Sequence, residues 1–214
     1  MRNTCLTIAL SLASAAAAAA PPRGVEIAYE IARNGSVIAD VNLRLAHDGR
    51  SYRIFETWNG RGIYALRGAV TRSSLGAVAA DGLRPHKFEE KSPGREARQA
   101  DFDPAARTPT LLRQDRLSLV WTMAFAPPRE AVTVSVADGK NVRSQTYQVA
   151  GRERVKTPAG EFDALKLVRH KVKPEDRGVE IWLAADRDYL PVRTLLTARD
   201  GSRLDQVAAK ITVH

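Results

Sequence analysis

Residues 154–167 read RVKTPAGEFDALKL, and the way this stretch folds back on itself decides how the rest of the chain is read. Thr157-Pro158-Ala159-Gly160 has the chemistry of a four-residue turn, with proline pre-setting φ at the second position and glycine closing the fourth. Pairing outward from that turn sets Lys156 opposite Glu161, Val155 opposite Phe162 and Arg154 opposite Asp163. Two of these pairs join opposite charges, and the apolar pair lies between them on the other face of the ladder. A slip of one residue would oppose Val155 to Asp163 and Lys156 to Phe162, so all three matches select one register. The stretch is a β-hairpin whose charges find partners inside the chain, which makes a substrate loop the weaker reading.

The same period of two extends in both directions. GVEIAYEIAR at 24–33 alternates Val25, Ile27, Tyr29 and Ile31 against Glu26, Ala28 and Glu30, and Asn34-Gly35 then turns the chain into VIADVNLRL. RSYRIFETW places Tyr52, Ile54, Glu56 and Trp58 on one parity. The glycine-rich run from Asn59 to Pro85 predicts short, bent or bulged strands. After residue 130 strands recur, with turn signals at Asp138-Gly139, Ala150-Gly151, Pro158-Gly160, Asp176-Gly178, Asp186-Asp188 and Asp200-Gly201. Connections this short require mostly antiparallel pairing. One segment breaks the pattern: in QDRLSLVWTMAFAPP the residues Leu117, Val120, Trp121 and Ala124 recur at helical spacing, Asp115 is an N-cap, and Pro127-Pro128 stops the run. The expected fold is mainly β, a curved antiparallel sheet or open half-barrel of about 10–13 strands. One short amphipathic helix, over about 116–125, packs on an end or face of it.

The chain opens with MRNTCLTIALSLASAAAAAAPP, in which a short start with Arg2 precedes an apolar run and a small-residue end. This is the layout of a secretory signal peptide, and the run is shorter than the ~20 residues a spanning helix needs. The expectation is a removed leader over 1–20, a single β-rich domain over 21–214 without a transmembrane segment, and a periplasmic location. Cys5 precedes the apolar run, where a lipidated cysteine would follow it. Without it the chain has no thiol and no disulfide. The formal charge of +9 and pI near 10.0 favour anionic partners. The excess of arginine over lysine, with abundant alanine, is also what GC-rich coding yields without any ligand.

In order along the chain, the helix-like DRLSLVWTMAF, the strand VTVSVADG, the segment YQVAGRERVKTPAGEFDALKL and the ending VEIWLAADRDYLPVR resemble an exported bacterial family known as domain of unknown function 3108. The resemblance covers about residues 24–210, and TPAGEFDALKL together with the YLPVR ending carries most of it. It implies a β-rich envelope protein and assigns no catalytic residue. The Trp-Leu and Leu-Pro-Val-Arg elements of the ending are also similar, by architecture only, to periplasmic lipoprotein carriers built on an unclosed curved sheet.

No nucleophile elbow, zinc helix, phosphate loop or EF-hand spacing occurs, and His47, His86, His170 and His214 are isolated. No catalytic, metal or cofactor residue is expected. Asp101/Asp103 and Asp186/Asp188 read as surface or turn carboxylates. Trp58, Trp121 and Trp182 are candidates to line a common apolar cavity, with core packing as the alternative. Arg152, Arg154, Arg169 and Lys171 are candidates for a basic rim. Together these point to a non-catalytic periplasmic binding or carrier module for an amphiphilic or anionic envelope component such as lipid, lipopolysaccharide or glycan. The alternative is a structural or assembly factor acting on other envelope proteins, and nucleic acid is not an expected partner.

Overall fold

A computed structural model describes residues 21–102, 112–138, 141–173 and 175–214. The first meander comprises β1 (Gly24–Arg33), β2 (Ser36–His47), β3 (Ser51–Gly60), β4 (Val70–Ala79), β5 (Gly82–Lys91) and β6 (Arg98–Asp101). The chain then passes through β7 (Leu112–Gln114) and helix α1 (Ser118–Phe125). The second meander comprises β8 (Ala131–Asp138), β9 (Asn141–Thr157), β10 (Gly160–Arg169), β11 (Gly178–Ala184), β12 (Leu190–Thr197) and β13 (Arg203–Val213). All thirteen strands form one open sheet in the order β6-β5-β4-β3-β2-β1-β13-β12-β11-β10-β9-β8-β7. First and last strands therefore pair in the middle, and the centre of the sequence supplies both edges. Pairing is antiparallel throughout except where β7 runs parallel to β8.

The opening hairpin has the register its charges select: Lys156 faces Glu161, Val155 faces Phe162 and Arg154 faces Asp163. Lys156 Nζ lies 3.9 Å from Glu161, but Asp163 is reached diagonally by Arg152 at 3.6 Å and not by Arg154. The expected break at Ala150-Gly151 is instead a bulge inside one 17-residue strand. Gly151 sits at φ +126, a conformation closed to side-chain-bearing residues, so the strand bends there without ending. Past the bend, the Ala159 N–H donates to the Ala208 carbonyl at 3.0 Å, tying the hairpin tip to β13. Gly160 has φ +138. Gly160→Val should lower the urea midpoint by the equivalent of about 1–3 kcal/mol, and unchanged stability would count against the turn.

The glycine-rich run behaves differently from its expectation. It contains the 3₁₀ turn Gly62–Arg67 and then two full ten-residue strands, β4 and β5, with a single irregularity at Leu75/Gly76. Sheet pairing on both sides of β4 overrides its weak local preference.

Helix α1 forms where expected but is buried on nearly every side, Val120 excepted. The reason is its position inside the curve. Leu117, Trp121, Ala124 and Phe125 join a cluster with Ile27, Leu45, Ile54 and Leu83, while Leu119 and Met123 join Tyr147, Leu167, Ile181 and Leu183. Each such side chain contributes about 1.5–3 kcal/mol of apolar burial. Of the helix's two polar residues, Ser118 is matched by the neighbouring Asp115 and Thr122 by residues of β7 and β5. Thr122 Oγ1 donates to Gln114 Oε1 at 2.8 Å and accepts from the Leu83 N–H at 3.2 Å, and Gln114 donates to the Leu83 carbonyl at 2.8 Å. The helix is a plug latched to β5, not an amphipathic lid.

Candidate functional site

The register assigns each sequence-derived candidate to a face. Trp58 lies opposite Val41, which lies opposite Tyr29, so it shares the inner face with the core of β1. Trp121 is 1% exposed on α1. Trp182, 3% exposed, is on the other side of β11 from Ile181 and Leu183, the residues that cluster with Leu119 and Met123 of the helix. Trp121 and Trp182 nonetheless belong to one buried apolar cluster, and Trp58 packs against it. Trp182 also lies between Lys166, 4.9 Å from its ring, and Arg193, at 4.8 Å, and its Nε1–H donates to Glu153 at 2.6 Å. Lys166 also pairs with Glu180 at 2.7 Å, and Arg193 binds Asp205 through two nitrogens. This sandwich is a structural ion network around an aromatic plate.

The basic candidates do not form one rim. Arg152 and Arg154 stand near the turn end of β9, whereas Arg169 and Lys171 lie at the far end of β10, roughly 20 Å along the strands at ~3.3 Å per residue. Arg169 donates to the Arg177 carbonyl.

Across β3, β4, β5 and β6 the inner face carries Glu56, Arg72, Glu90 and Arg98 directly opposite one another. Arg72 contacts Glu56 and Glu90 at 2.6 Å each, and Glu90 is also approached by Arg98 at 3.6 Å and Arg116 at 3.7 Å. Burial works against the Arg72 charge, yet Glu56 and Glu90 hold its pKa above the ordinary value. Both carboxylates are engaged, so the row fixes the sheet and leaves no group for acid–base work. One signal for it stood in the sequence, since Glu56 shares a parity with Tyr52, Ile54 and Trp58.

Asp115 is buried and accepts from Ser74 Oγ at 2.6 Å and from the N–H groups of Leu117 and Ser118 at 2.8 and 2.9 Å. Desolvation raises its pKa against these hydrogen bonds. Tyr52 contacts Ser74 at 2.9 Å, extending the chain to β3. Among the described residues no group of three or more histidine, cysteine, aspartate or glutamate side chains gathers to hold a metal. His47 fastens the Pro21 carbonyl at 2.8 Å.

A concavity suited to a ligand lies where sequence reading did not place one. Pro158 and Ala159 of the hairpin turn, Phe162 of β10, Arg187, Asp188 and Leu190 around the β11–β12 turn, and Ala209, Lys210, Ile211 and Val213 of β13, with Pro22, line a cleft of about 640 Å³. That size suits a small-molecule site. Phe162, Leu190 and Ile211 give it apolar lining, and Arg187 and Lys210 line it too, neither with a carboxylate partner among the described residues; Lys210 also borders a second cleft. The turn stays open because Asp188 and Tyr189 take φ +49 and +56 and the Tyr189 N–H donates to Ala184. The hairpin tip that forms one wall is tied to β13 by the Ala159 N–H to Ala208 carbonyl hydrogen bond. The TPAG turn is thus both a register device and one wall of the site.

No functionally curated protein matches the chain. Among solved structures, it resembles a β-barrel-like protein of domain of unknown function DUF1849 from Brucella abortus, with TM-score 0.53 and 8% identity over 91% of this chain and 99% of that one. This likeness concerns the fold. A Bacteroides fragilis protein classed as exported, with a YmcC-like fold, gives TM-score 0.38 at 11% identity, covering 90% and 97%. A lipoprotein assignment from Parabacteroides distasonis gives TM-score 0.36 at 12% identity, with the same coverage. No described helix is long and apolar enough to cross a membrane. The model of the DUF3108 family, described as a protein of unknown function, matches residues 26–207. By that match, over most of its length, the chain belongs to the DUF3108 family.

Proposed function

We propose that this protein is a non-catalytic binding or carrier module for an amphiphilic, anionic envelope component, a lipid or glycan, acting in the periplasm after export through residues 1–20. One observation carries the reading: a cleft of about 640 Å³ lined by the apolar Phe162, Leu190 and Ile211 and by Arg187 and Lys210, neither of which has a carboxylate partner among the described residues. An acyl chain or apolar sugar face would rest on the apolar side chains, and a phosphate or carboxylate would meet the two cations. Asp188 on the same wall leaves the cleft a single net positive charge, which suits a monoanion.

Dodecyl phosphate is the probe for the test. Charge-assisted contacts are worth about 1.5–3 kcal/mol each, so R187Q/K210Q should weaken its binding by at least about tenfold in a calorimetric titration. Equal affinity in the variant, or equal affinity for butyl and dodecyl phosphate, would defeat the reading.

A second reading, a structural or assembly factor, draws on the outer face of the first meander. Phe55 and Leu75 are exposed there on the outer parity of β3 and β4, beside a smaller cleft of about 410 Å³ that includes Phe55, Arg44 and Lys210. Site-specific cross-linking from position 55 in cells would capture an envelope protein on this reading and none on the first.

A further inference from the structure

Alternation along the two meanders fixes which connections share an end of the sheet. Those spanning 33–36, 60–70, 91–98, 169–178 and 197–203 lie at one end, and those spanning 47–51, 79–82, 157–160 and 184–190 lie at the other. The first group holds 12 arginines and lysines against 4 acidic residues, and the second holds 2 against 4. The positive charge of the chain is concentrated at one end of the fold.

The same end carries its most exposed apolar side chains. Ile63 is 77% exposed and Leu66 90% exposed, both within the 3₁₀ turn Gly62–Arg67. At three residues per turn, positions i and i+3 eclipse, so the two side chains project together. The turn is held from beneath. Tyr64 packs on the core with the Arg67 guanidinium 5.5 Å above its ring, and the Arg61 N–H donates to the Ile38 carbonyl at 2.7 Å. Two aliphatic side chains on a fixed turn, surrounded by arginines, have the composition of a shallow membrane wedge.

We propose that this end docks on a membrane surface rich in anionic phospholipid, with Ile63 and Leu66 entering the headgroup boundary and Arg67 and Arg95 meeting phosphates. The occupant follows from charge: neither Arg67 nor Arg95 has a carboxylate partner among the described residues, and polybasic surfaces are drawn to anionic leaflets. The ligand cleft lies at the opposite end, so a docked molecule would present it to the aqueous phase. The inference does not depend on that cleft being occupied.

The test is flotation of the purified protein with vesicles of equimolar phosphatidylglycerol and phosphatidylethanolamine, against vesicles of phosphatidylcholine alone. Wild-type protein should float with the anionic vesicles, and I63S/L66S should reduce that fraction by about tenfold. R67Q/R95Q should reduce it too and flatten its salt dependence. All variants carry the same N-terminus, so any contribution of residues 1–20 cancels, and I63S/L66S, at exposed positions, should leave the melting temperature unchanged. Equal flotation of wild type and I63S/L66S would overturn the proposal, as would equal binding to phosphatidylcholine. A wild-type dimer that I63S/L66S abolishes, without vesicle binding, would assign the patch to self-association and overturn it as well.

Discussion

Replacing Arg72 with alanine is expected to cost about 3–5 kcal/mol of stability, the range for breaking a buried ion pair by removing one partner. Arg72 touches Glu56 and Glu90 at 2.6 Å, and both carboxylates are buried on the inner face. Without the guanidinium, Glu56 loses the cation opposite it, and Glu90 retains only Arg98 and Arg116 at 3.6 and 3.7 Å. Urea unfolding at neutral pH measures the loss. The comparison that isolates the cause is E56L/R72M/E90L, in which all three groups become apolar. It should be markedly more stable than R72A, because no charge is left buried without a partner. A loss under about 1 kcal/mol in R72A would show that the row is solvated and contributes little.

Asp115→Ala is expected to cost about 3 kcal/mol, because the Ser74 hydroxyl and the Leu117 and Ser118 N–H groups would all lose their acceptor in a buried site. The change also frees the start of α1, so both apolar clusters that share the helix should loosen. Asp115→Asn keeps an acceptor and should cost less. The pH dependence has a definite sign. The folded pKa of Asp115 is raised by burial, so this site is most favourable below the unfolded value of about 3.9 and loses stability as pH rises through the folded value. Asparagine does not titrate. The advantage of wild type over Asp115→Asn should therefore widen as pH falls from neutrality toward about 4, and an advantage that narrows would contradict the assignment of Asp115 as a carboxylate disfavoured by burial.

How much of this was legible in the sequence depends on how local each determinant is. The hairpin at 154–167 was legible because its turn residues and matched charges lie within fourteen positions of one another. The Asn34-Gly35 hairpin was legible for the same reason, and both residues take positive φ. Helix α1 was placed within two residues, but its role was not, because Ser118 and Thr122 look like a solvent face until Asp115, Gln114 and Leu83 are brought to them. Gly151 was read as a turn when it is a bulge, since a glycine at positive φ serves either and only the pairing of β10 across it decides. The tryptophans were grouped by residue type, and one apolar cluster does hold Trp121 and Trp182 with Trp58 packed on it, but the Lys166 and Arg193 contacts of Trp182 come from neighbouring strands and were not legible. The cleft was out of reach because its walls come from residues 158, 187 and 210, and their meeting depends on how far the hairpin tip bends toward β13.

The most direct test of a ligand cleft behind the TPAG turn is a backbone amide NMR titration of the protein with dodecyl phosphate. Saturable shifts are expected at Ala159, Phe162, Leu190 and Ile211, which line the cleft, with the amides around Trp182 and along α1 unmoved. Shifts confined to the outer-face residues Arg44, Phe55 and Thr57, or no saturable shift at all, would contradict a ligand cleft there.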